Sequence, residues 1–178
     1  MDAEAIIAGL IRGALAARGK QADSFLSTST LRTVASAALG VHQAPAPPTS
    51  PPPPAPPPPD VSDHLLRLVS LTVSAARADG DLTLEERGLI LEHARSVGAE
   101  GLVVPELQSP RPLAEIVAGI ADARRGSEMY TLAYTIVRAD ESVAGAERIY
   151  LARLAHLLGL DAATVSRLET EAEARAGR

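Results

Sequence analysis

RADGDLTLEER, residues 77–87, and RADESVAGAER, residues 138–148, stand 61 positions apart and decide how this chain folds. Arg77-Ala78-Asp79 returns as Arg138-Ala139-Asp140, and Glu86-Arg87 returns as Glu147-Arg148. The same offset carries Leu71 to Leu132, Ala94 to Ala155 and Gly98 to Gly159. It also pairs apolar sites: Leu68 with Met129, Val69 with Tyr130, Ile90 with Leu151 and Val97 with Leu158. An offset that matches buried-type positions as well as charged ones implies two copies of one unit, helix–acidic turn–helix.

Working outward, each unit has its own punctuation. Leu65, Leu66, Leu68, Val69, Leu71 and Val73 leave little polar face, so the helix before the first turn is expected to be central. Thr83-Leu84-Glu85-Glu86 has capping-box spacing and starts a second helix that stops at Gly98. In the second unit Met129, Tyr130, Leu132, Tyr134, Ile136 and Val137 form the matching central helix, and its partner ends at Gly159. Asp161 caps a last helix. Between the units, Pro105, Pro110 and Pro112 break the chain into short helical pieces. No segment alternates as a strand, and the fold class is all-α: a duplicated helical bundle.

Upstream the composition changes. Eleven of the fifteen residues from Pro45 to Pro59 are proline. Such a run is expected to be an extended spacer of roughly 45 Å, at 3.1 Å per residue. The organisation expected is therefore an N-terminal arm at 1–43, weakly helical or partly disordered, a Pro-rich linker at 44–60 and a helical domain at 61–178. Within the arm Ile7, Leu10, Ile11, Ala14 and Leu15 share a helical face, interrupted by Gly9 and Gly13, each costing about 1 kcal/mol against alanine. A second stretch, Ser27–Gly40, has a similar weak pattern. The proline run is expected to separate the arm from the core, so that residues 60–178 fold alone.

The whole chain bounds its function. It has 178 residues, 33 of them alanine, no cysteine and a net charge of −5, divided as +1 over residues 1–59 and −6 over 60–178. Disulfides and thiolate chemistry are excluded, and an acidic core gives no electrostatic reason to bind nucleic acid. No apolar run reaches membrane-spanning length and the N-terminus has no signal-peptide pattern, so a cytoplasmic location is expected. There is no P-loop, GxGxxG or GxSxG, and no nucleophile–base constellation, so no enzyme activity is expected. His42, His64, His93 and His156 have no ligand spacing and read as surface or packing histidines. Tyr130, Tyr134 and Tyr150 read as packing.

RADGDLTLEERGLI (77–90) and YTLAYTIVRADESVAGAERIYLARLAHLLGLDAATVSRLE (130–169) resemble the tellurite-resistance TerB-like superfamily, and within it the YebE-type bacterial domain of unknown function. The resemblance covers residues 62–172. It implies a TerB-like duplicated helical bundle with a doubled acidic motif that binds metal, protein partners, and a bacterial stress-response or envelope setting. YebE-type members are described as inner-membrane proteins, which leaves open a peripheral membrane contact through residues 1–43. On this reading Asp79, Glu86, Asp140 and Glu147 are the candidate ligands of a divalent cation, calcium or a similar hard ion. A structural role competes at each of them. A capping-box Glu86 needs only the backbone N–H of Thr83, whereas Glu147 has Ala144 at the equivalent cap position. The first turn is not an EF-hand, because Ala75 and Arg77 occupy its opening ligand positions.

Overall fold

The computed structural model describes residues 3–17, 61–138 and 145–176. The second stretch of the arm, the Pro-rich linker and Asp140 lie outside the described residues. Those described form eight α-helices and no strand: α1 (Ala3–Ala17), α2 (Val61–Ala76), α3 (Leu84–Ser96), α4 (Glu100–Gln108), α5 (Leu113–Ile116), α6 (Ala123–Val137), α7 (Gly145–Leu157) and α8 (Ala162–Ala176). Helices α2 and α6 pack on each other at the centre. The first also meets α1, α4 and α5, and the second also meets α1, α7 and α8. Their apolar surfaces, from Leu68 to Val73 and from Met129 to Val137, are buried. Two polar side chains buried within α2 satisfy themselves locally: Ser70 Oγ donates to the Leu66 carbonyl and Thr72 Oγ1 to that of Leu68, both at 2.8 Å.

The 61-residue offset reappears in the backbone. Helix α3 begins and ends 61 positions before α7, and α2 ends 61 positions before α6. Each outer helix closes with the same hydrogen bonds. Gly98 N–H donates to the Arg95 carbonyl and Ala99 N–H to that of Ala94, at 3.1 and 2.8 Å; Gly159 donates to His156 and Leu160 to Ala155, at 3.1 and 2.9 Å. Gly98 and Gly159 hold φ of +72° and +67° there, a left-handed conformation that side chains disfavour.

Helix α1 corrects the expectation that the arm stands apart. It lies against α3, α2 and α6, with Ile6, Ile7, Leu10, Ile11 and Ala14 fully buried. Gly9 lies over Val97 and Gly13 over Ile90 and His93, so the helix runs antiparallel to α3. A Cβ on Gly9 would stand 2.7 Å from Val97 Cγ1; one on Gly13 would stand 3.0 Å from His93 Cβ and 3.1 Å from Ile90 Cα. The two glycines that weaken α1 as an isolated helix are what let it reach α3, Gly13 against the Ile90 backbone and Gly9 against the Val97 side chain. Their propensity cost is offset by contact.

The stretch between the units is held by arginines. Helix α4 runs through Pro105 instead of breaking there. The carbonyl that Pro105 leaves without a donor belongs to Gly101, which is exposed to water. Arg67 Nη1 donates to the carbonyls of Ile116 and Ala118 at 2.9 and 2.7 Å, closing the C-terminal end of α5. Arg111 Nε donates to Glu106 Oε1 at 2.6 Å, and its Nη2 reaches Ser70 Oγ and the Leu66 carbonyl on α2.

At the far end, α8 lies parallel to α6 along a ladder of tyrosine–glutamate bonds. Tyr130 donates to Glu169 at 2.7 Å and Tyr134 to Glu173 at 2.9 Å, with the two rings stacked at 6.4 Å. Burial, then the hydrogen bond to each carboxylate, pushes both phenols up from their ordinary value. The sign follows from the raised folded-state pKa. The ladder's contribution is intact below the unfolded tyrosine pKa of about 10 and is lost as pH climbs beyond it. The melting temperature is therefore expected to fall between roughly pH 10 and 12, and the Tyr130→Phe/Tyr134→Phe double variant to fall less steeply. At neutral pH that variant should lose about 1–3 kcal/mol, since two carboxylates lose their donors. Parallel pH–melt curves for the two proteins would refute the ladder's role.

Candidate functional site

Chemistry-bearing side chains gather at two places, the acidic turns and a groove beside α7. Thr83 is the N-cap of α3: its Oγ1 accepts from Glu86 N–H at 3.2 Å, and Glu86 Oε2 accepts from Thr83 N–H at 2.6 Å. The capping box read from the sequence is present. Asp79 is exposed in the turn between α2 and α3, where Arg77 pairs with Asp81. Glu147 takes in α7 the third-residue position that Glu86 takes in α3, yet it is 2% exposed, whereas Glu86 is half-buried. Equivalent residues thus sit in different surroundings. Asp140 lies outside the described residues. Among those residues no group of three or more His, Asp or Glu side chains is placed to hold a metal ion, so Asp79, Glu86 and Glu147 do not gather into one.

The second place is a groove of about 300 Å³ between the C-terminal part of α2, the start of α5 and the exposed flank of α7. Leu113, Pro110, Ala146 and Ile149 give it apolar walls, and the charged side chains among its described lining residues are Arg153 and Arg77, the latter paired with Asp81. Tyr150 donates to Ser74 Oγ at 3.2 Å, tying α7 to α2 beneath it. Burial raises the Tyr150 phenol well above its usual value, so at neutral pH this hydroxyl stays a donor. Ile149 is 71% exposed at the rim, one of two large apolar side chains left in water among the described residues; the other is Leu84. No sequence pattern singled out this groove. Ile149 corresponds to Gly88 in the first unit, so self-comparison gives it no apolar partner.

The remaining sequence-derived assignments fall in ordinary places. His93 hydrogen-bonds the Leu89 carbonyl at 2.9 Å through Nδ1 and packs over Gly13. Asp161 caps α8, its Oδ1 accepting from Thr164 N–H at 2.7 Å, a bond that holds its carboxyl below the usual range. No helix among the described residues is long and apolar enough to cross a membrane.

A family model described as "Protein of unknown function (DUF533)" matches residues 2–172. That span takes in α1 as well as the two units. No curated protein and no solved structure matches.

Proposed function

The chain belongs to the DUF533 family, and from that premise we propose that it is a non-enzymatic, TerB-like interaction module, close to the YebE type, working in a bacterial stress or envelope-associated setting. The observation that carries this reading is the groove beside Ile149. An isoleucine left in water beside apolar walls and Arg153 is suited to a protein partner that offers an apolar side chain next to a carboxylate. The duplicated acidic turns, on this reading, are devices that start and orient α3 and α7. Glu86 is already engaged by the Thr83 backbone, and Glu147 is enclosed, so an ion shared by Asp79, Glu86, Asp140 and Glu147 would have to draw both away from their places.

The rival reading is a scaffold whose arm lies on the inner membrane. The burial of α1 weighs against it, because the apolar face that would enter a lipid surface is the face that packs on α3.

The tests are separate for groove and ion. Crosslinked capture from a bacterial lysate is expected to lose its specific partner with Ile149→Asp by roughly tenfold or more, the scale of one buried aliphatic side chain, and to keep it with Leu84→Asp. Equal capture by both variants would sink the groove. Melting temperatures in calcium, magnesium and chelator are expected to coincide. A calcium-dependent rise that Glu147→Gln removes would replace the structural role of the turns with ion binding.

A further inference from the structure

The groove beside α7 has polar groups in its floor and rim as well as apolar walls, and together they narrow what can occupy it. In α2, Ser70 and Thr72 donate their hydroxyl hydrogens to carbonyls four residues back, whereas Ser74 Oγ accepts from Tyr150 at 3.2 Å. Among the described residues Ser74 Oγ makes no other hydrogen bond, so its own hydrogen is left to donate to whatever fills the groove. Burial keeps the Tyr150 phenol protonated far above neutral pH, and the direction of this donor chain is thereby fixed. The second donor is Arg153, exposed and in no ion pair among the described residues, while Arg77 is held by Asp81.

Two uncommitted donors in a protein of net charge −5, with no acidic side chain among the described lining residues, select an anion, and a carboxylate matches both. The apolar walls select an aliphatic group beside it. Ile149 and Arg153 stand one turn apart on α7, roughly 5–6 Å between Cβ atoms, so the two groups of the ligand must lie equally close together. Neighbouring residues inside a polypeptide do not meet that demand. In an extended chain their side chains point to opposite faces, and in a helix they diverge. The last residue of a chain meets it, because its side chain and its free carboxylate are bonded to the same Cα. The groove volume of about 300 Å³ lies at the low end of the roughly 300–1,000 Å³ of small-molecule sites, room for one such residue and little more. Building on the docking role given to this groove, we propose that it captures the C-terminus of a partner polypeptide ending in a large aliphatic residue. The terminal side chain lies against Ile149 and Leu113, and Arg153 and Ser74 take the terminal carboxylate.

The test titrates the isotope-labelled full-length protein with a glycine–serine hexapeptide ending in leucine, once as the free acid and once as the amide. The free acid is expected to shift the Ile149 and Arg153 amide resonances, and the amide to bind roughly tenfold or more weakly, the scale of one hydrogen bond to a charged group. Arg153→Gln, an exposed substitution that spares the fold, should bring the free acid down to the level of the amide. Ser74→Ala should weaken the free acid several-fold and keep the preference over the amide. Equal binding of acid and amide, or no shift at Ile149 and Arg153 with millimolar free acid, overturns the proposal. Octanoate bound as tightly as the peptide would give the site to small fatty acids and overturn it as well. A helical peptide amide with leucine and glutamate four residues apart separates these failures from failure of the groove itself. If it binds where the free acid does not, the groove stands and takes an internal segment; if neither binds, both readings fall.

Discussion

Deleting residues 1–59 is expected to abolish the cooperative melt of the remaining 60–178 fragment. Helix α1 fully buries Ile6, Ile7, Leu10 and Ile11, and nearly buries Leu15. At about 1.5–3 kcal/mol for each such side chain, the gross burial is roughly 8–15 kcal/mol, an upper bound. Net stabilities of domains are about 5–15 kcal/mol, so the loss is of the same size as everything the fold has to spare. The deletion also bares the opposing surface, including Ile90 on α3 and Val97 at its end. Circular dichroism should show residual helix with a broad, shallow thermal transition, and a dye that binds exposed apolar surface should bind at room temperature. A sharp transition within a few degrees of the full chain would show that α1 is dispensable. That outcome would restore the separation between arm and core expected from the proline run.

The second large effect is expected at Arg111. Its guanidinium bonds Glu106, which is 5% exposed, and continues to Ser70 and the Leu66 carbonyl on α2. Arg111→Met keeps much of the stem volume but leaves the Glu106 carboxylate enclosed without its cation. Breaking a buried pair in this way typically costs about 3–5 kcal/mol. The arginine itself is about one-third exposed, which reduces the expectation to about 2–4 kcal/mol. Glu106→Gln/Arg111→Met should recover much of the loss, because the uncompensated charge is gone. Denaturant midpoints of the wild type and the variants supply the comparison. A single variant as stable as wild type would show that Glu106 is satisfied by water and backbone alone.

The helices whose ends are written in capping chemistry could be read from sequence. Thr83 and Glu86 bracket the start of α3, Asp161 starts α8, and Gly98 and Gly159 close α3 and α7 through bonds that repeat almost to the tenth of an ångström. These signals are local, spanning a few residues each. What stayed hidden depended on distant partners. Gly9 and Gly13 look like defects until Val97, Ile90 and His93 are set opposite them. Tyr130 and Tyr134 show helical core spacing, but their hydroxyls find Glu169 and Glu173 only because α8 runs parallel to α6. The candidate site follows the same division. Asp79 and Glu86 have the same spacing as Asp140 and Glu147, and only Ala144 at the cap position sets Glu147 apart from Glu86 in sequence. The burial of Glu147 is set by packing, which spacing does not encode.

The seating of α1 on α3 also fixes an order of events during synthesis. Gly13 leaves the ribosome 77 residues ahead of Ile90, and Gly9 precedes Val97 by 88. At roughly 5–20 residues per second, the nascent helix waits about 4–18 s before its counterpart exists. Over that interval the strongly apolar α1 segment has no seat on its own chain, and its glycines give it little intrinsic helicity to hide its aliphatic side chains. The proline-rich stretch emerges in between and offers nothing to bury them. Helix α1 is thus made long before the surface that receives it, and in the cell its safekeeping falls to whatever meets nascent chains.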